Sequence, residues 1–166
     1  MINNLKKCIG DEMKALELLL EKNKTKLSGD WVSSNTNYED DFCKILGMDT
    51  DTKRYWDVKW EDKFIELKKG NSRWLDLVRY SEIFFKVNED ASKKTITLFL
   101  IPNKDKNIIK EIICVDTDKI LKYYKLTKEK AKWLIELKAD IPGSFNAQAS
   151  LGITDLRQMA NFIIKN

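Results

Sequence analysis

A chain of 166 residues, 43% hydrophobic and 34% charged, is long enough for one domain with a sizeable core and too apolar to stay disordered. It contains no histidine, which excludes His-Cys zinc sites, Ser-His-Asp triads and every histidine-dependent nuclease chemistry; proton transfer must use carboxylates, lysine, tyrosine or metal-bound water. Thirty Lys and Arg against 26 Asp and Glu give a formal charge of +4 and a pI near 8.8, compatible with a polyanionic partner without requiring one.

No apolar run approaches the roughly 18 residues of a membrane span, so neither a span nor a signal peptide is expected. Cys8, Cys43 and Cys114 are widely spaced with no C-x-x-C, and they read as buried thiols of a reducing, cytoplasmic environment.

In chain order, Leu5, Cys8, Met13, Leu16, Leu19 and Leu20 predict a helix over 3–24, able to pack on its own domain or on a second subunit. Gly29, Ser33, Ser34 and Asn35 mark 26–37 as a loop. Tyr38, Phe42, Ile45 and Leu46 make the apolar face of a helix over 38–46, ended by Gly47. A β-hairpin follows over 55–68, closed by Gly70-Asn71, and Ser72 then caps a helix to about residue 85 carrying Trp74, Leu77, Val78 and Phe84 on one side. The nearly all-apolar run 95–101 is predicted as a central strand, with 108–115 as its antiparallel partner after a turn at Pro102-Asn103-Lys104-Asp105.

Asp116-Thr117-Asp118 cap a short helix through Tyr124, and a further helix spans 127–138. Residues 142–152 read as a loop carrying Asn146 and Gln148, and Thr154 caps a final helix of Leu156, Met159, Ala160, Ile163 and Ile164. The five tryptophans read as core, with Trp31 in a polar stretch as the exception. This order predicts an α/β (α+β) fold, a mixed sheet flanked by helices. It forms a single domain over 1–166, with a core at about 38–125 and with helix 3–24 and helices 127–165 peripheral or dimerising.

Within the hairpin, taking Glu61-Asp62 as the turn sets Asp57 directly opposite Glu66, with Cβ atoms about 5 Å apart. Like charges so placed are destabilising, and a divalent cation between them reverses the sign. Period-2 alternation adds Lys68 to the Glu66 face and sends Trp56, Val58, Ile65 and Leu67 to an apolar underside. The turn has neither the Gly nor the Asn that a tight hairpin prefers, so the register rests on the alternation alone. An E-x-K triplet is common by chance in a Lys-rich chain, and an identical Glu-Leu-Lys, Glu136-Leu137-Lys138, provides a control. It falls in a helical pattern, where residues two apart lie about 200° apart around the axis and face different directions.

Asp57 in one strand and Glu66-x-Lys68 in the next, with Ile65 and Leu67 flanking the glutamate, resemble the motif of the PD-(D/E)xK nuclease superfamily, and within it the small type II restriction endonucleases. Trp56 stands where the family name has proline. The helix 38–46 with Glu39 is similar to an amino-terminal helix that often contributes an acid in such enzymes. The run 112–124, a strand leading into a short helix ending in Tyr123 and Tyr124, is a second point of likeness. The usual core has two strands before the motif strand, which puts an irregular strand within 47–54.

The resemblance implies a restriction-endonuclease-like sheet with Asp57, Glu66 and Lys68 as catalytic residues. It also implies Mg²⁺, replaceable by Mn²⁺, held by Asp57, Glu66 and the Leu67 backbone carbonyl, with Glu39 as a further acid unless it is only a solvated helix residue. Phosphodiester hydrolysis needs an activated water and neutralisation of charge on the phosphate, and Mg²⁺ meets both needs with hard oxygen ligands. Lys68 beside it suits an electrostatic role better than that of a general base, which would need a depressed pKa that the two acids oppose. Lys69, Asn71, Ser72 and Arg73 follow the motif strand, where backbone phosphates would pass, and Asn146 and Gln148 carry the amides that read adenine edges. The expected function is Mg²⁺-dependent cleavage of double-stranded DNA by a homodimer at a specific site. A repair or Holliday-junction-type nuclease of the same fold, or a catalytically silent DNA-binding domain, are the alternatives.

Overall fold

In the computed structural model, which describes residues 12–51, 56–71, 73–86 and 95–166, the most apolar strand of the sequence lies in the middle of the main sheet. This is β5 (Thr95–Pro102), buried at every position because both of its faces are covered. It pairs parallel with β3 (Lys63–Lys69) and antiparallel with β6 (Ile109–Asp116). Beyond β3 the sheet continues through β2 (Val58–Trp60) to β1 (Asp49–Thr50), and beyond β6 it ends on β8 (Phe162–Lys165). The mixed sheet and its helices make this an α+β fold, as the sequence predicts.

Helices α1 (Glu12–Asn23) and α2 (Tyr38–Leu46) cover one face, burying Leu16, Leu20, Phe42 and Leu46 against Val58, Ile65, Leu67, Leu98 and Leu100. The opposite face carries α3 (Leu77–Lys86), α4 (Thr117–Tyr123), α5 (Lys128–Asp140) and α6 (Ile153–Met159). Tyr80, Ile120, Leu121, Leu134 and Leu156 pack there on Phe99, Ile101, Ile113 and Val115. Each fully buried Leu or Ile contributes about 1.5–3 kcal/mol, so the alternating inward residues of β5 and β6 hold both layers to one sheet. α2 matches its predicted span and stops where Gly47 turns left-handed at φ 65°. No helix among the described residues is long and apolar enough to cross a membrane. Cys43 and Cys114 are free and buried, and Cys8 lies outside the described residues.

Several elements differ from expectation. The helix expected from Ser72 starts at Leu77, because Trp74, Leu75 and Asp76 form a short strand, β4, paired with β7 (Gln148–Ser150) inside the expected 142–152 loop. Asp76 is the cap: its Oδ1 accepts the Val78 and Arg79 N–H groups at 3.0 and 3.3 Å, while Ser72 lies outside the described residues. The final helix ends at Met159, and Phe162–Lys165 continue as β8, with Ile164 buried against β6. Trp74 and Trp133 are 55% and 59% exposed, so two of the tryptophans are not core.

Candidate active site

The Glu61-Asp62 turn holds the hairpin in the expected register, Val58 opposite Ile65 and Trp60 opposite Lys63, with Glu61 itself taking the left-handed conformation at φ 57°. The ladder ends at that Val58–Ile65 pair: the Asp57 N–H reaches the Ile65 carbonyl at 3.0 Å, one residue off the register, and the Asp57 carboxyl lies near enough to Glu66 to feel its charge. β2 begins only at Val58, so the next peptide of β3 runs past the end of the ladder and its groups need other partners. The Leu67 N–H donates to Asp57 Oδ2 at 2.7 Å, and the Leu67 carbonyl accepts the Tyr38 hydroxyl at 3.1 Å. The site is thus built where the sheet opens, between the end of β2 and the start of α2.

The acid-bearing face is not solvated as the alternation alone suggests; α3 lies across it. Glu66 is only 5% exposed. Its Oε1 accepts Lys68 Nζ at 2.7 Å and Arg79 Nη1, from the first turn of α3, at 3.2 Å. Its Oε2 is buried with no hydrogen-bond partner among the described residues, a costly state for a carboxylate oxygen. Burial first, then the charges of Glu66 and Glu39, push the Asp57 carboxyl up to about 7, against the restraining Leu67 N–H and Lys68. Glu39 is half-buried in the first turn of α2 and close enough for its charge to raise both Asp57 and Tyr38.

On the underside, Val58, Ile65 and Leu67 join the core as expected, and Trp56, buried as well, packs outside that cluster. It stacks on Phe64 with ring centroids 4.0 Å apart and donates its indole N–H to Asp51 Oδ2 at 2.8 Å.

Asp57, just before β2, and Glu66 on β3 are electrostatically coupled, and with the Leu67 carbonyl they offer an oxygen-only donor set. Among the described residues no cluster of three or more His, Cys, Asp or Glu residues could hold a metal. Two carboxylates and a carbonyl nonetheless suit Mg²⁺, which keeps several waters and takes the rest of its shell from a phosphate. The unpartnered Glu66 Oε2 and the raised Asp57 carboxyl fit a cation-binding donor set. Zn²⁺ has no nitrogen or sulfur ligand here.

The expected DNA contacts are placed less uniformly. Lys69 donates to the Val32 carbonyl at 2.7 Å and lies 5.0 Å above the Tyr38 ring, and burial pulls its pKa down. Arg73 donates to the Leu151 and Asn71 carbonyls at 2.7 and 2.8 Å, tying β4 to the segment before α6. Asn71 is exposed beside a cleft of about 260 Å³ also lined by Ser33, Asn35, Lys69 and Lys106. Asn146 and Gln148 are both exposed, and Gln148 sits in β7 opposite Asp76, the residue that caps α3. The second triplet is helical as expected, but Lys138 is half-buried and donates to the Phe145 carbonyl at 3.1 Å, so it fastens a loop. Tyr123 and Tyr124 pack edge to face and bind Asp155 Oδ2 and the Ser150 carbonyl at 2.9 and 2.8 Å.

Sequence reading misses Tyr38 and Arg79. Tyr38 was spent on an apolar helix face, although a phenol there brings a hydroxyl as well. Comparison with family models, with curated proteins and with solved structures finds no match to this chain.

Proposed function

We propose that this protein is a Mg²⁺-dependent DNA endonuclease of the PD-(D/E)xK kind, cutting double-stranded DNA at a specific site as a homodimer. The observation that carries the reading is the Asp57 carboxylate, held on the Leu67 N–H within reach of the Glu66 charge, with Lys68 Nζ 2.7 Å from Glu66 and one buried glutamate oxygen without a partner among the described residues. β1 supports it further, since two strands now precede the motif strand as in the family's usual core.

Asp57, Glu66 and the Leu67 carbonyl are the residues that would hold the metal. Mg²⁺ bound there would lower the pKa of a water and neutralise charge on the scissile phosphate. Asp57 takes its place because the Leu67 N–H fixes Oδ2, leaving Oδ1 for a ligand. Tyr38 fixes the Leu67 carbonyl through one lone pair and leaves the other free. Lys68, anchored on Glu66, presents a cation where negative charge develops on the phosphate and on the attacking oxygen. Glu39 adds negative charge at the same mouth.

Digestion of plasmid and phage DNA with Mg²⁺, followed by end sequencing, tests this reading. Discrete fragments with a shared end sequence support it. Cutting confined to branched or damaged DNA would support the repair alternative, and binding without cutting the silent one.

A further inference from the structure

Arg79 is the one basic group at this site that neither the motif nor helix stability explains. α3 begins at Leu77 under the Asp76 cap, so Arg79 lies in its first turn, where unpaired N–H groups and the helix dipole already make the potential positive. A cation there opposes the dipole, and the charges that favour it are those of Glu66, the capping Asp76 and Asp57. Its contact with Glu66 is a single Nη1 donation at 3.2 Å to Oε1, the oxygen that Lys68 already holds at 2.7 Å. The guanidinium therefore does not relieve the buried Oε2, which stays without a partner. Arg79 keeps 38% of its side chain exposed, and a guanidinium has five donors, of which this contact uses one.

We propose that Arg79 is the phosphate-binding cation of the site, parked on Glu66 Oε1 in the free protein and transferred to a DNA phosphodiester when substrate enters. The assignment rests on the nuclease reading above. Once a metal takes Glu66 Oε2, much of the carboxylate's charge is neutralised and Oε1 still has Lys68 as its nearer partner at 2.7 Å, so the 3.2 Å Arg79 contact is the one given up. The anion that arrives with the substrate is the phosphodiester, and a planar fork matches its two non-bridging oxygens. Parking on Glu66 also keeps the long side chain ordered near the site, which lowers the entropy lost when it engages the phosphate. Lys68, on the strand, and Arg79, on the helix, then approach the phosphate from different elements, so the two positive charges need not act on one oxygen.

The test compares wild type with Arg79→Gln and Arg79→Lys in two measurements. In the first, Mn²⁺ is titrated into the DNA-free protein and free ion is followed by its paramagnetic resonance. In the second, single-turnover plasmid cleavage with Mg²⁺ is measured over a range of enzyme and salt concentrations, giving a saturating rate and a half-saturating concentration at each salt.

Arg79→Gln should bind Mn²⁺ as tightly as wild type or up to about tenfold tighter, because a cation competing for Glu66 is gone. Its saturating rate should fall about 10²-fold, and the salt slope of its half-saturating concentration should flatten by about one phosphate contact. Arg79→Lys should restore the salt slope but only part of the rate, as a point charge in place of a fork.

Mn²⁺ binding weakened tenfold in Arg79→Gln would show that Arg79 only holds Glu66 in place. An unchanged rate and salt slope would equally overturn the proposal. Failure of the nuclease reading has a different signature: no cutting by wild type, with Mn²⁺ binding indifferent to Glu66→Gln, and it would remove this assignment as well.

Discussion

Replacing Asp57 by Asn should stabilise the metal-free protein, and by an amount that depends on pH. Asp57 titrates at about 7 in the folded chain against an ordinary 3.8, because burial and the charges of Glu66 and Glu39 disfavour its ionised form. Below pH 4 the carboxyl is protonated whether the chain is folded or not, and it does not distinguish the two states. Between pH 4 and 7 the unfolded chain has already lost the proton that the folded chain retains. The stability associated with that proton is therefore full below 3.8 and lost as pH rises through 7. At about 1.4 kcal/mol per pH unit the whole window corresponds to about 4 kcal/mol, reduced to roughly 2–4 because the carboxyl is only half-buried. Asn keeps an oxygen for the Leu67 N–H and carries no charge, so it escapes this loss. Thermal unfolding in chelator should give similar melting temperatures for the two proteins near pH 4, and by pH 8 an advantage for Asp57→Asn on the order of 5–10 °C. Adding Mg²⁺ at pH 8 should raise the wild type alone and narrow the gap. Parallel pH profiles, or a variant less stable than wild type at pH 8, would refute the reasoning.

The two Glu-Leu-Lys triplets should separate under single-turnover conditions: Lys68→Ala should lose at least about 10²–10³-fold in rate. Lys138→Ala should cleave within about twofold of wild type and instead lose about 1 kcal/mol of stability, since the Phe145 carbonyl goes unpaired. Equal rate losses, or a loss confined to Lys138→Ala, would mean that the strand triplet is the wrong choice. Asp76→Ala removes the cap of α3 and should cost about 1 kcal/mol, seen as a fall of about 2–4 °C in thermal unfolding. Ile164→Ala should cost about 2–4 kcal/mol in denaturant unfolding if the terminal segment is strand β8, packed in the core under α1, whereas Lys165→Ala on its exposed end should change little.

The hairpin was legible because period-2 alternation and turn position together fix a register, and a one-residue slip would have turned Val58 and Ile65 out of the core. β5 was legible because its run carries no charged residue and its only polar ones, Thr95 and Thr97, are β-branched, so nothing in it marks a solvated helix face. β4 was not, since three residues show no period and its partner β7 lies far downstream in what reads as loop. β8 was masked by Leu156, Met159, Ala160, Ile163 and Ile164, whose helical spacing runs on past the point where the chain extends. Pairing with β6, a tertiary effect, decides that segment. In the site, Asp57, Glu66 and Lys68 could be read from strand parity, but Arg79 could not. Its position depends on where α3 starts, and that start is set by the Asp76 cap and not by Ser72.

The central claim is that Asp57 and Glu66 together hold a metal that cleavage of DNA requires. Wild type, Asp57→Asn and Glu66→Gln, each incubated in excess with supercoiled plasmid over a Mg²⁺ titration from chelator upward, test it most directly. The account predicts metal-dependent cutting by wild type and none by either variant at any Mg²⁺ concentration. Undiminished Mg²⁺-dependent cutting by Asp57→Asn, or cutting by wild type in chelator, would contradict it.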